Sequence, residues 1–151
     1  MKKQALITGA TSGIGRATAL RLAAEGYDIT ATGRRAERLE TLRREIEAAG
    51  GRCTALVFDV RSEAEVRKFL SPLERVDLLI NNAGLAAGLE HIDQGDTADW
   101  DAMIDTNVKG LLYVTRIITP KMIAAGGGHV INIGSIAGTE PYENGAVYCA
   151  S

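Results

Sequence analysis

Short apolar runs alternate with longer amphipathic stretches along the whole chain. The runs centred on Ala5-Leu6-Ile7, Ile29, Leu56, Leu78-Leu79-Ile80 and Val130-Ile131 are too brief for helices and are bounded by glycine or polar clusters. They predict strands over 4–8, 28–33, 52–58, 76–80 and 129–133. Between them the spacing predicts helices over 13–25, 36–49 and from Ser62 to Leu70. A further one covers 96–125, in two pieces meeting near Asn107 with Pro120 near the end of the second. Gly26, Gly50-Gly51 and Gly126-Gly127-Gly128 stand where helices stop. Ser62-Glu63-Ala64-Glu65 fits a capping box. A last helix begins near Gly145. Strand and helix alternating throughout predict a parallel sheet covered on both faces, an α/β domain.

The first strand runs into Thr8-Gly9-Ala10-Thr11-Ser12-Gly13-Ile14-Gly15 and then a helix. Strand, glycine turn, helix is the context a nucleotide pyrophosphate needs. Glycines let the backbone turn and approach the phosphates, and the free N–H groups of the first helical turn face the negative charge. Gly9, Thr11, Ser12, Gly13, Ile14 and Gly15 are therefore candidate cofactor contacts. A side chain at Gly13 or Gly15 is expected to stand where the ligand must lie. The spacing is G-x-x-x-G-x-G rather than G-x-G-x-x-G, and alone it also fits an ordinary strand–helix connection.

Charge at the end of the second strand selects the cofactor. A fold that holds NAD puts an acid there for the ribose 2′-hydroxyl, whereas one that holds NADP offers a cation to the 2′-phosphate. This chain carries Thr32-Gly33-Arg34-Arg35, with no carboxylate. An arginine fork binds phosphate bidentately. Arginine is also disfavoured in a helix's first turn, so a ligand is a reason for its presence. The expectation is NADP, with Arg34 the main contact and Arg35 the second.

Composition narrows the partners. The 151 residues suffice for one domain, and the net charge of −2 comes from interspersed signs. No basic face marks a nucleic-acid partner, and no apolar run has the length of a membrane span. Cys53 and Cys149, with no metal-ligand spacing, suit a reducing cytoplasm. No metal is expected.

Further motifs follow in order: Asp59-Val60, Asn81-Asn82-Ala83-Gly84, Asn107-Val108-Lys109-Gly110, Ser135, and Tyr148-Cys149-Ala150-Ser151. Together with the glycine turn they resemble the classical short-chain dehydrogenase/reductase family over essentially the whole chain. Thr32-Gly33-Arg34-Arg35, Asn82-Ala83-Gly84-Leu85-Ala86 and Met103-Ile104-Asp105-Thr106-Asn107 are most similar to the bacterial NADP-dependent 3-hydroxy acid dehydrogenases, which oxidise serine and allo-threonine. The resemblance implies a Rossmann-type doubly wound parallel sheet, with five strands in the order 3-2-1-4-5. It implies an adenine contact at Asp59, beside Val60, although the acid could equally cap the next turn. It implies that Asn82, Ala83 and Gly84 wall the adenine–ribose side. Tyr148 is then the acid/base, Ser135 holds the substrate oxygen beside it, and the kink at Asn107 belongs to a proton path. The family's supporting lysine, one helical turn after Tyr148, falls just beyond Ser151.

These 151 residues are accordingly expected to be the NADP-binding portion of a longer single-domain protein, before its C-terminal substrate region. The expected function is NADP-dependent hydride transfer on a small 3-hydroxy acid, in a cytoplasmic homotetramer or homodimer. The alternatives are a 3-oxoacyl thioester or other carbonyl reductase, or a non-catalytic NADP-binding module. Glu140, Pro141 and Tyr142, between Ser135 and Tyr148, are expected to line the substrate pocket.

Overall fold

A computed structural model describes residues 2–151. Five parallel strands form one sheet: β1 (Gln4–Ile7), β2 (Asp28–Gly33), β3 (Cys53–Val57), β4 (Leu78–Asn81) and β5 (His129–Asn132). Their order is β3-β2-β1-β4-β5, as the resemblance implied. Register is set around β1, where Ala5 pairs with Ile29 on one side and Leu78 on the other. That pairing explains why β4 starts later than residue 76. Asp77 instead turns its side chain back onto the start of β1, accepting from the Gln4 N–H at 2.7 Å, and takes Arg75 on its other oxygen.

The helices are α1 (Gly13–Ala24), α2 (Ala36–Ala48), α3 (Glu63–Leu70), α4 (Thr97–Met103), α5 (Leu111–Ala124) and the short α6 (Ala146–Ala150). Side chains alternate across the strands, so β1 feeds both faces. Ala5 and Ile7 join Ala19, Leu39, Leu42 and Ile46 under α1 and α2. Leu6 joins Val66, Leu70, Leu79, Val114 and Ile118 under α3 and α5. Two apolar cores clamp the sheet and hold the carboxyl ends of its strands at one edge.

Two local features depart from the sequence reading. Only half of the capping box forms. The Ser62 hydroxyl accepts from the Glu65 N–H, but the Glu65 carboxylate reaches the Asp59 N–H at 2.9 Å, and the Ser62 N–H goes to the Asp59 carbonyl. Between α4 and α5 the two helical pieces do not break. They are joined by wide π-helical turns over Ile104–Gly110, a device that recurs at functional sites. Gly110 lets these turns approach the segment after β3: a Cβ there would lie 2.8 Å from Cγ2 of Val60.

Candidate active site

The carboxyl ends of all five strands open into one cleft of about 710 Å³. Open α/β sheets bind ligands along this edge. Its lining runs from Arg34 and Asp59, past the glycine turn and the residues after β4, to Asn107, Ser135 and Tyr148.

The glycine turn forms the middle of the cleft. Gly9 is left-handed, at φ 66°, and an added Cβ would lie 2.9 Å from the Ala83 Cα. The residues after β4 are bolted to it. The Thr8 hydroxyl accepts from the Asn82 and Ala83 N–H groups, both at 3.0 Å, and the Asn82 side chain donates to the Thr8 and Gly9 carbonyls. Ser12 makes no side-chain cap on α1. The first-turn N–H groups, which have no partner within the helix, stay available to an anion. Arg35 folds over this turn, donating to the Thr11 hydroxyl at 2.5 Å and the Ser12 hydroxyl at 2.7 Å.

At one end Arg34 stands 3.8 Å from the Asp59 carboxylate and remains mostly exposed. Partial burial works against the charged form of Asp59. The hydrogen bonds and charge of Arg61, with the charge of Arg34, outweigh it and hold the carboxyl below its ordinary value. One Asp59 oxygen also accepts the Arg61 N–H at 3.0 Å. The turn-capping reading of this acid is therefore realised, and the residue still faces the cleft.

At the other end, the Asn107 side chain makes an amide-to-amide pair with Leu85. Its oxygen accepts the Leu85 N–H and its nitrogen donates to the Leu85 carbonyl, both at 2.9 Å. The same nitrogen donates to the Ser151 hydroxyl, which donates to the Tyr148 carbonyl. Ser135 caps a short 3-10 turn, its oxygen accepting the Ala137 N–H at 3.2 Å. Its own hydroxyl proton is left free for an acceptor in the cleft. Deeper in, Asn81 donates to Thr115 and Asn132 while its own oxygen has no protein partner, and neither does the Thr106 hydroxyl. Both side chains are buried and line the cleft. Buried polar atoms are nearly always satisfied, so this floor suits a polar guest.

Residues 3–151 match the short chain dehydrogenase family. The chain belongs to this family. NADP-dependent 3-hydroxy acid dehydrogenase YdfG of Salmonella typhi is 45% identical over 150 residues, covering 97% of this chain and 59% of that protein. Sulfoacetaldehyde reductase 2 of Chromohalobacter salexigens is 47% identical over 151 residues, covering 97% of this chain and 60% of the relative. Among solved structures, the closed form of serine dehydrogenase complexed with NADP+ superposes with a TM-score of 0.91 at 44% identity, covering 97% of this chain and 60% of that one. The chain thus spans about three fifths of the length of the relatives it matches.

The cleft gathers Gly9, Thr11, Ser12, Ile14, Arg34, Arg35, Asp59, Val60, Asn82, Ala83 and Gly84 with Asn107, Ser135 and Tyr148. Gly13 and Gly15 stay outside the lining, for different reasons. A Cβ on Gly15 would strike the Asn82 side chain and come within 2.6 Å of the Gly9 carbonyl, so this glycine serves contacts within the protein rather than ligand space. Gly13, at φ 53°, has nothing near its missing side chain, and its requirement is conformational. Glu140, Pro141 and Tyr142 also lie outside the lining. The Tyr142 ring packs at Gly145 instead, 2.6 Å from where a Cβ would sit. Sequence reasoning overlooked Thr106 and Asn132. Thr106 adjoins Asn107 on the π-helical turns, and Asn132 is the β4–β5 register partner of Asn81. An asparagine ending each of two adjacent strands was the available signal.

Among the described residues no helix is long and apolar enough to cross a membrane. No cluster of three His, Cys, Asp or Glu residues could hold a metal ion among them.

Proposed function

We propose that the protein is an NADP-dependent oxidoreductase acting on the CH–OH group of a small 3-hydroxy acid of the serine type. The observation that carries this is one cleft with two chemically distinct ends. Arg34, Arg35 and an uncapped helix start bring cations and free N–H groups to one end, beside the single carboxylate of Asp59, while Tyr148 and Ser135 offer exchangeable hydroxyls at the other. The relatives named for NADP and for 3-hydroxy acid chemistry support the same reading.

The residues present fit this cofactor. The glycine turn and α1 N-terminus would hold the pyrophosphate, Arg34 and Arg35 the 2′-phosphate, and Asp59 the adenine edge. When bound, NADP supplies the acceptor or donor of hydride. Tyr148 exchanges a proton with the substrate oxygen, as a general base in oxidation and a general acid in reduction. Ser135 donates to that same oxygen and fixes it. Asn107 holds the wall at Leu85 and ties it to the turn bearing Tyr148.

We read these residues as the NADP-binding portion of a longer single-domain enzyme, a reading supported by the greater length of the relatives they match. Exposed Leu112 and Ile123 on α5 support a homotetramer or homodimer. Two free cysteines support a cytoplasmic setting. A second reading, reduction of a small sulfonated aldehyde, is favoured by the relative named sulfoacetaldehyde reductase 2.

Equilibrium titration of NADP+ and NAD+ tests the cofactor assignment. The intact protein binds NADP+ more tightly. Arg35→Leu removes the guanidinium held over the glycine turn by the Thr11 and Ser12 hydroxyls, and with it the charge offered to the 2′-phosphate; it weakens NADP+ by about tenfold, with little change for NAD+. Equal affinity for the two dinucleotides in the parent protein contradicts the assignment.

A further inference from the structure

The cation end of the cleft contains a problem of charge. Arg34, the residue offered to the 2′-phosphate, stands 3.8 Å from the carboxylate of Asp59. A carboxylate so placed competes with phosphate for the same guanidinium. Left alone, it would close on Arg34, whose exposed side chain is free to move, and mask its charge.

Arg61 answers that competition. Its Nε and Nη2 donate to the same Asp59 oxygen at 2.9 and 2.7 Å, and its backbone N–H takes the other oxygen at 3.0 Å. Glu65, on α3, is spent on the Asp59 N–H rather than on either arginine. Asp105, on the π-helical turns, adds its negative charge to the field around Arg61 and favours the guanidinium there. Arg61 itself does not line the cleft. It faces the carboxylate from outside, while Arg34 faces it from within. The ranking is geometric: two short hydrogen bonds on one side, and a contact at the outer limit of an ion pair on the other.

We propose that Arg61 is a positioning residue for cofactor choice: by gripping Asp59 it keeps the carboxylate off Arg34 and leaves the Arg34 charge free for a 2′-phosphate. The inference rests on the NADP reading above. It goes beyond it by assigning discrimination to a residue that would not touch the cofactor, and by giving Asp59 a latent role against NADP.

The test is the ratio of NADP+ to NAD+ affinity, measured by equilibrium titration of the intact protein. The adenine contact of Asp59 is common to both dinucleotides and drops out of this ratio. Arg61→Gln lowers the ratio by about three- to tenfold, the scale of one charge-assisted contact at a partly exposed site. Arg61→Lys, which keeps the counter-charge, restores most of it. In an Asp59→Asn background no carboxylate remains to capture Arg34, and Arg61→Gln then leaves the ratio unchanged. An equal loss in both backgrounds would overturn the proposal, because Arg61 would then act on the phosphate without Asp59. An unchanged ratio in Arg61→Gln alone would overturn it too. A parent protein with no preference for NADP+ would overturn the cofactor reading itself, and this inference with it.

Discussion

Tyr148→Phe in the intact protein lowers kcat/KM for hydroxy acid oxidation by about 10²- to 10⁴-fold, the range that a positioned general acid or base contributes. The substitution removes one hydroxyl and keeps the ring. Tyr148 sits on α6, half-buried, with its side of the cleft shared by Ser135 and Asn107. The hydrogen bond that ties its backbone to Ser151 does not involve the phenol. Neither the fold nor the phosphate-binding end, which lies across the glycine turn, depends on the lost group. NADP+ affinity is therefore expected to stay at the parental value while turnover collapses. Steady-state kinetics together with a binding titration separate the two. A Phe variant with parental turnover would remove Tyr148 from the chemistry. A Phe variant that lost NADP+ binding would make it a structural residue of the cofactor site.

The second large effect is on stability. Gly9→Ala is expected to destabilise the fold by about 2–5 kcal/mol, combining the left-handed backbone penalty with overpacking. The new methyl would lie 2.9 Å from the Ala83 Cα and 3.1 Å from its nitrogen. Backbone there has no room to give, because Asn82 and Ala83 are both hydrogen-bonded to Thr8. Gly13→Ala is the matched control. It has a similar left-handed φ of 53° but meets nothing within 4 Å. Only the conformational penalty remains, about 1–2 kcal/mol. In thermal melts the gap between the variants appears as a clearly lower Tm for Gly9→Ala, about 2–4 °C for each kcal/mol. Equal losses at the two sites would mean that the close approach of the Gly9 turn to Ala83 carries no energy.

Signals confined to a few neighbouring residues were legible in the sequence. Apolar runs placed all five strands to within about two residues, a normal uncertainty for element ends. Glycine stops and the Asn107 junction marked the helix boundaries, although the spacing did not show that π-helical turns join the two pieces. The order of the strands came from resemblance, since no local pattern states which strands are neighbours. Contacts between distant residues were illegible for the same reason. Glu65 looked like the partner of Ser62 because they are three apart, yet its carboxylate accepts from the Asp59 N–H, six residues back. Gly15 looked like ligand space, but the side chain of Asn82, just after β4, fills it. Arg61 carried no motif at all, and its partner Asp59 also stands near Arg34, which follows β2 and is distant in sequence.

NADP+ reduction by the intact protein, followed with serine, 3-hydroxypropionate and sulfonated ethanol derivatives and with NAD+ as the competing cofactor, is the decisive measurement. Reduced nicotinamide is expected from NADP+ with at least one small hydroxy acid, at a kcat/KM well above that with NAD+, and is expected to disappear in Tyr148→Phe. NADP+ bound tightly but not reduced by any hydroxy acid, nor consumed as NADPH with any matching carbonyl, would contradict the proposed function and leave a nucleotide-binding protein without hydride chemistry.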